Sequence, residues 1–189
     1  MSMPLKDNPV QLLPDNLLSH DSLPGQWRVI KTRSRREKAL ARYMSGRQMS
    51  YYLPMFKKRR PETKRTRYSF LPAFPGYIFC KINNLERYEL LSTNHIANVI
   101  EVADENRLVS DLARVQQAIS LDAPIYPYDF VQAGDEVVIK NGPFKNLSGI
   151  IQRKMKNFRL VLNVKSLFMA VALDIEAAHV EPVGSLSRA

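Results

Sequence analysis

The stretch Phe74-Pro75-Gly76-Tyr77-Ile78-Phe79 is the strongest fold signal in the first half of the chain. Pro-Gly favours a tight turn, and the apolar run that continues to Ile82 is typical of a buried strand. Successive side chains of a strand point to opposite faces, so Tyr77 and Phe79 should share one face while Ile78 lies on the other. The stretch therefore predicts a turn that leads into an aromatic strand of a sheet.

Strand and helix patterns alternate on both sides of this stretch, over residues 26–122. Trp27, Val29 and Ile30 predict a strand, and Ser34 with Glu37 fits a capping box for a helix that ends near Gly46. The same kinds of pattern predict a strand at 51–53, a short helix capped by Asn83, a strand at 99–102 and a helix capped by Ser110. The fold class is α+β, with an α/β sandwich whose antiparallel-rich sheet is flanked by helices.

The rest of the chain differs in composition and in hydrophobic pattern. Pro124 and Pro127 mark a linker over 123–129, whereas residues 1–25, rich in Pro, Asn, Asp and Ser, predict a flexible extension. Short strand-like runs separated by turn residues occur at 137–139, 149–152, 158–164, 168–173 and 179–183. Five short strands over 130–184 predict a small closed β-barrel.

Charge is concentrated in the first predicted domain. The chain has a net charge of +10, and residues 26–122 contain 19 basic and 9 acidic side chains. Within them, seven of the eleven residues of 57–67 are basic, which predicts an exposed loop or hairpin tip. Such a surface attracts polyanions, although a basic surface can also serve solubility alone.

Several functional classes lack their sequence signals. The histidines are far apart, and there is no metal-ligand spacing, phosphate-binding glycine loop or nucleophile elbow. We therefore expect no enzyme, cofactor or metal, although two catalytic carboxylates distant in the chain remain an alternative. The single Cys80, with no apolar run long enough to span a membrane and no signal sequence, predicts a cytoplasmic protein.

Two motifs together resemble a known family. Residues 134–144 (Gly-Asp-Glu-Val-Val-Ile-Lys-Asn-Gly-Pro-Phe) followed by Gly149 resemble a KOW motif, in which alternate apolar residues enter a barrel core. Many ribosomal proteins carry that motif. The strand at Trp27, the helix at 34–46 and the stretch 74–79 come in the order of the amino-terminal domain of the NusG/RfaH transcription elongation factors. The chain resembles that family over residues 26–183.

Details of the resemblance point to two branches of the family. Lys64-Arg65-Thr66 and 71–75 are more similar to the specialised RfaH-like paralogues, whereas 166–174 are more similar to ordinary NusG. The resemblance implies an operon-specific elongation and antitermination factor that acts as a monomer. A housekeeping NusG and a ribosome-associated RNA-binding KOW protein are the alternatives.

The resemblance also implies a polymerase-binding groove. In this family the amino-terminal domain binds the clamp helices of the largest subunit of RNA polymerase. Apolar side chains of this sequence match the groove that receives them. They are Tyr52, Pro54, Phe74, Pro75, Tyr77 and Phe79. The alternative is that some of these side chains only fill the core.

A second implied site contacts the exposed non-template DNA strand. Arginines grip phosphates and an aromatic ring can stack on a base. The matching residues lie around the first helix and in the basic stretch, and they are Lys31, Arg33, Arg35, Arg36, Arg42, Tyr43, Lys64 and Arg65. The alternatives are a solvated charged face and, for Tyr43, a core position.

The KOW domain of the family binds ribosomal protein NusE or the termination factor Rho. Phe168 matches the hydrophobic contact residue, unless it lies in the barrel core. RfaH-like proteins can also hold this domain as helices that cover the groove. Val161, Val164 and Val171 favour strands instead, so we expect the β form at rest.

Overall fold

The computed structural model describes residues 8–19, 23–61, 66–132, 134–153, 158–175 and 180–182. The strands are β1 Leu12–Leu13, β2 Gln26–Thr32, β3 Ser50–Tyr52, β4 Met55–Pro61, β5 Thr66–Pro72, β6 Tyr77–Ile82, β7 Ile96–Glu101, β8 Tyr126–Asp129, β9 Asp135–Ile139, β10 Ser148–Arg153, β11 Phe158–Val164, β12 Met169–Ile175 and β13 Val180–Pro182. The helices are α1 Glu37–Gly46, α2 Asn84–Ser92 and α3 Glu105–Ser120, and Lys165–Leu167 form a 3-10 turn.

The chain divides into two compact units, residues 1–106 and 107–189. The division falls at the start of α3, so most of this helix is grouped with the carboxy-terminal strands. The domain limits expected from the sequence, 26–122 and 130–184, place the same helix in the first domain and stay a prediction.

The first unit is built on a five-stranded sheet in the order β1-β3-β6-β2-β7, with antiparallel pairing throughout. The apolar face of α1, with Leu40 and Met44, shares a core with Ile78 and Ile82 of β6. Side chains of β6 alternate, so Phe79 lies on the opposite face of the sheet, as the sequence predicts. Mixed helices and antiparallel sheets confirm the α+β class.

The start of α1 differs from the predicted capping box. The helix begins at Glu37, and its N-cap residue Arg36 makes no side-chain capping bond. The Glu37 carboxylate instead accepts a hydrogen bond from the backbone N–H of Gly76 at 2.7 Å. Ser34 is therefore not the cap, because the acidic side chain is used to hold the Pro-Gly turn.

Of the two other predicted helix caps, Asn83 is confirmed and Ser110 is wrong. Asn83 caps α2 in a capping box, since its side chain accepts from the Glu86 N–H at 2.9 Å and the Glu86 carboxylate accepts from the Asn83 N–H at 2.8 Å. The predicted cap Ser110 lies inside α3, which begins at Glu105. Glu105 accepts a hydrogen bond from the Trp27 N–H at 3.0 Å, a long-range contact that sequence patterns do not show.

The described part of the predicted flexible extension is folded onto the first sheet. Leu12 and Leu13 pair with β3, and the side chain of Leu17 is buried. Gln11 accepts hydrogen bonds from the backbone N–H groups of Leu53 and Met55, both at 2.7 Å. Because prolines and acidic residues are frequent in this segment, the sequence shows too little pattern to predict these few contacts.

The second unit contains a six-stranded antiparallel sheet in the order β13-β9-β10-β11-β12-β8. All five predicted strands are present, including β11 and β12 in the region for which the resemblance implies an alternative helical form. Gly149 allows two strands to approach closely, because a Cβ atom there would lie 2.6 Å from the Val161 carbonyl oxygen.

Two features of this sheet differ from the expected five-stranded barrel. Residues 126–129, expected as part of a linker, form β8 and pair with β12. Among the described residues, β8 and β13 are the two edges and do not pair with each other, so backbone hydrogen bonds do not close the sheet. Pro127 is compatible with β8 because an edge strand tolerates a missing donor.

Candidate functional site

Three predicted groove aromatics form one buried cluster in the first unit. Tyr52 and Phe79 are paired positions on β3 and β6, with ring centroids 6.4 Å apart. Phe74 meets Phe79 edge-on at 5.5 Å. All three side chains are at most 1% exposed, and burial raises the pKa of Tyr52 well above its usual value. In this structure they are core residues.

The remaining groove candidates surround the Pro-Gly turn. Pro54 is buried, whereas Pro75 is exposed and Tyr77 is half-buried. Gly76 has a φ of +86°, a conformation that L side chains rarely adopt. Pro75 and Tyr77 are therefore the two predicted groove residues that a partner can reach directly here.

The predicted cations around α1 form an exposed surface, which we call the α1 basic surface. It consists of Lys31, Arg33, Arg35, Arg36 and Arg42, all exposed. The neighbouring Lys38 amino group is partly buried, and desolvation lowers its pKa, with the positive charge of Arg42 lowering it further. Positive charges therefore lie close together on this helix.

Tyr43 is engaged by protein neighbours. Its ring packs against the core of the first unit, and its hydroxyl donates to Glu89 Oε1 at 2.9 Å. The Arg47 guanidinium lies 4.8 Å from the ring centroid and pairs with Glu89. These contacts favour a packing role for Tyr43 over stacking on a base.

The described part of the basic stretch, 57–61 and 66–67, lies in the paired strands of a hairpin, whereas the sequence predicts an exposed loop or the tip of a hairpin. Strands β4 and β5 pair from Met55↔Pro72 to Pro61↔Thr66. Lys57, Lys58 and Arg59 are exposed on β4. The Lys57 Nζ atom lies 4.5 Å from the centroid of the Tyr68 ring. Lys64 and Arg65, predicted as nucleic-acid contacts, lie outside the described residues.

Phe168 is an exposed aromatic of the second unit. It follows the 3-10 turn with a φ of +52°, and its side chain is 70% exposed. The Phe130 ring meets it edge-on at a centroid distance of 5.3 Å. The placement excludes a core position for Phe168 in this structure, and Phe130 is a neighbour that the sequence did not identify.

A cluster around Arg159 was also missed by sequence reasoning. Its guanidinium donates to the Tyr128 hydroxyl and to Asp174 Oδ1, both at 3.1 Å, and lies 5.4 Å from the ring of Tyr126. Burial, followed by the hydrogen bond to Asp174, raises the pKa of Tyr126 to about 12. In the sequence, this cluster was indicated only by the alternation of Tyr126 and Tyr128 within the expected linker.

Two kinds of site are absent from the described residues. No three His, Cys, Asp or Glu side chains there are grouped as metal ligands. No helix in the same part of the chain has the length and apolar character needed to cross a membrane.

The first unit thus contains an antiparallel sheet, an aromatic turn and an exposed basic helix surface within one α+β fold. Residues 25–118 match the model of the NusG family, described as transcription termination factor nusG. The match covers just under half of the chain, and this amino-terminal part is therefore similar to the NusG family. A search of curated proteins gave no significant match.

Proposed function

We propose that this protein is a transcription elongation and antitermination factor that acts on RNA polymerase without catalysing a reaction. The NusG family match over residues 25–118 carries the proposal. Support from the second unit comes from its strands at the five places that the apolar runs and turn residues predict. The RfaH-like branch is the favoured one because of 64–66 and 71–75, and a housekeeping NusG is the alternative.

The proposed polymerase contact is the Pro-Gly turn and its surroundings. Tyr77 and Pro75 reach the surface there, and the buried rings of Tyr52, Phe74 and Phe79 support the turn from within. A partly exposed aromatic on a rigid base is the kind of anchor that protein interfaces use. Its partner would be the clamp helices of the largest polymerase subunit.

The proposed contact with non-template DNA is the α1 basic surface. Its five exposed cations suit binding to phosphates, which depends on charge and not on base identity. Tyr43 would position α1 and would not stack on a base, because its ring and hydroxyl already have protein partners.

The second unit would recruit a further protein through Phe168. An exposed aromatic next to Phe130 forms a small apolar patch on the surface of this unit. NusE and Rho are the candidate partners that the family resemblance implies. The strands over 158–164 and 169–175 support recruitment from the β form.

An in vitro elongation assay with purified bacterial RNA polymerase tests this function. We expect the protein to change pausing and termination on natural templates. The triple variant Arg35→Gln, Arg36→Gln, Arg42→Gln should weaken binding to paused complexes and flatten its salt dependence by about 2 in log–log slope, since each phosphate of a single strand that is no longer neutralised removes about 0.7. An unchanged elongation profile with the wild-type protein would contradict the proposed function.

A further inference from the structure

We infer that Gln11 is a positioning residue for the proposed polymerase contact, and that residues 8–17, which we call the amino-terminal segment, hold the Pro-Gly turn in place. The inference rests on the proposed function, because it names the residue that positions the contact used there. Composition predicts a flexible extension at these positions, whereas the segment is hydrogen-bonded to the first sheet and to α1. The segment therefore belongs to the polymerase-binding part of the first unit.

Gln11 binds the short connection between β3 and β4. Its backbone carbonyl oxygen accepts a hydrogen bond from the Leu53 N–H, and its side-chain Oε1 accepts one from the Met55 N–H, both at 2.7 Å. Leu53, Pro54 and Met55 are all buried, and a buried N–H group that lacks a partner is destabilising. Because Pro54 has no N–H, Gln11 accepts from every backbone donor of these three residues. One residue of the amino-terminal segment therefore fixes this connection.

The same connection holds the residue that leads into the Pro-Gly turn. The Pro54 carbonyl oxygen accepts a hydrogen bond from the Ala73 N–H at 2.8 Å. Ala73 is fully buried and directly precedes Phe74, whose carbonyl oxygen accepts from the Tyr77 N–H across the turn at 3.1 Å. Gln11 is therefore linked to the start of the turn through hydrogen bonds on both sides of the connection.

Two further contacts keep the amino-terminal segment in place. The Lys38 amino group of α1 donates to Asn8 Oδ1 and to the Phe70 carbonyl oxygen of β5, both at 2.7 Å. The Tyr51 hydroxyl of β3 donates to the Val10 carbonyl oxygen, also at 2.7 Å. The segment is thus attached to α1 and β3 on either side of Gln11, so the acceptor oxygens of Gln11 have a defined position.

The far end of the turn is held by other elements. The Gly76 N–H donates to Glu37 Oε1 of α1, and the Gly76 carbonyl oxygen accepts from the Thr32 N–H of β2, both at 2.7 Å. The exposed Pro75 and the half-buried Tyr77 lie beside this attachment. A contact that is held in its binding geometry before the partner arrives loses less freedom on binding. Loosening the start of the turn should therefore weaken binding without removing a side chain that touches the partner.

Capture of purified bacterial RNA polymerase by the immobilised full-length protein, together with amide hydrogen exchange, tests the inference. Gln11→Leu removes the side-chain acceptor of the Met55 N–H and nearly keeps the size of the side chain. We expect about fivefold weaker capture, the usual effect of losing one hydrogen bond. The Met55 and Ala73 amides should exchange several-fold faster, while exchange in α2 and β7 stays unchanged.

Matched variants separate this role from general loss of structure. Gln11→Glu keeps an acceptor oxygen and should restore wild-type capture and exchange. Gln117→Leu makes the same substitution at a half-buried position of α3 and should change neither. If Gln11→Leu does not fold, Gln11→Asn replaces it, because its side chain is one methylene too short to reach the Met55 N–H.

The possible results distinguish this inference from the proposed function. No capture by the wild-type protein would refute the proposed function and the inference with it. Capture by the wild-type protein and equal capture by Gln11→Leu would overturn the inference alone. The same holds for weaker capture with unchanged exchange at Met55 and Ala73, for weak capture by Gln11→Glu, and for faster exchange throughout the first unit, which would indicate general destabilisation.

Discussion

Glu37 links the first turn of α1 to the turn that starts the aromatic strand. Its carboxylate is largely buried and accepts the Gly76 N–H at 2.7 Å. A hydrogen bond to a charged group contributes about 1.5–3 kcal/mol. We expect Glu37→Ala to lower the free energy of unfolding of the first unit by about that amount in urea titrations, with a smaller loss for Glu37→Gln.

The exposed Glu136 provides a control for this measurement. Glu136→Ala should change the free energy of unfolding by less than about 0.5 kcal/mol, as is usual for surface substitutions. If Glu37→Ala has an effect as small as this control, the bond to Gly76 does not hold the turn.

The reactivity of the Cys80 thiol gives a second prediction for a single residue. It is fully buried on β6, and burial raises the pKa of its thiol well above the usual range. Only the thiolate reacts readily with disulfide reagents. We expect no reaction of the native protein with a chromogenic disulfide at neutral pH, and one thiol per chain in concentrated guanidinium chloride. Fast labelling of the folded protein would contradict the placement of β6.

Residue types in the site were predictable from the sequence, but their surroundings were not. The exposed arginines of the α1 basic surface and the exposed Phe168 agree with their expected surface positions. Tyr52 and Phe79 carry the same aromatic signal as Tyr77, yet they are buried, and the Phe79 ring packs against both Tyr52 and Phe74. Contacts between residues that are distant in the chain decide such burial, and local sequence patterns do not show them.

Strand β8 receives side-chain contacts from another strand in addition to its backbone pairing with β12. Arg159 of β11 contacts both Tyr126 and Tyr128 of β8 and binds Asp174 of β12. Cation–π contacts contribute about 0.5–2 kcal/mol. We expect Arg159→Gln to increase amide hydrogen exchange in β8 and β12 several-fold, while the exposed Lys140→Gln leaves it unchanged. Equal protection in both variants would show that backbone pairing alone secures β8.

Elements with strong local signals were predicted well. Strands β9 to β13 follow from alternation and turn residues, and the Asn83 capping box follows from a local reciprocal bond. By contrast, β1, β8 and the start of α3 depend on partners far along the chain, such as β3 for Leu12 and Trp27 for Glu105. Short edge strands with proline have too little local pattern to be recognised.

At the scale of the molecule, the second unit is predicted to keep its strands in solution. Residues 158–164 and 169–175 are paired over seven positions, and the valines within them favour strands. Carbon chemical shifts of the free full-length protein should show extended backbone in both segments. Helical shifts there would indicate that the free protein adopts the helical packing that the RfaH resemblance implies as the alternative.

The central proposal is that the protein attaches to RNA polymerase through the Pro-Gly turn of the first unit. Capture of purified bacterial RNA polymerase by the immobilised full-length protein, after nuclease treatment, tests this most directly. We expect capture by the wild-type protein, at least about tenfold weaker capture by Tyr77→Ala, as for an interface anchor, and unchanged capture by Tyr88→Ala, which removes an exposed tyrosine of α2. No capture of polymerase by the wild-type protein at low salt, or equal capture by both variants, would contradict attachment through this turn.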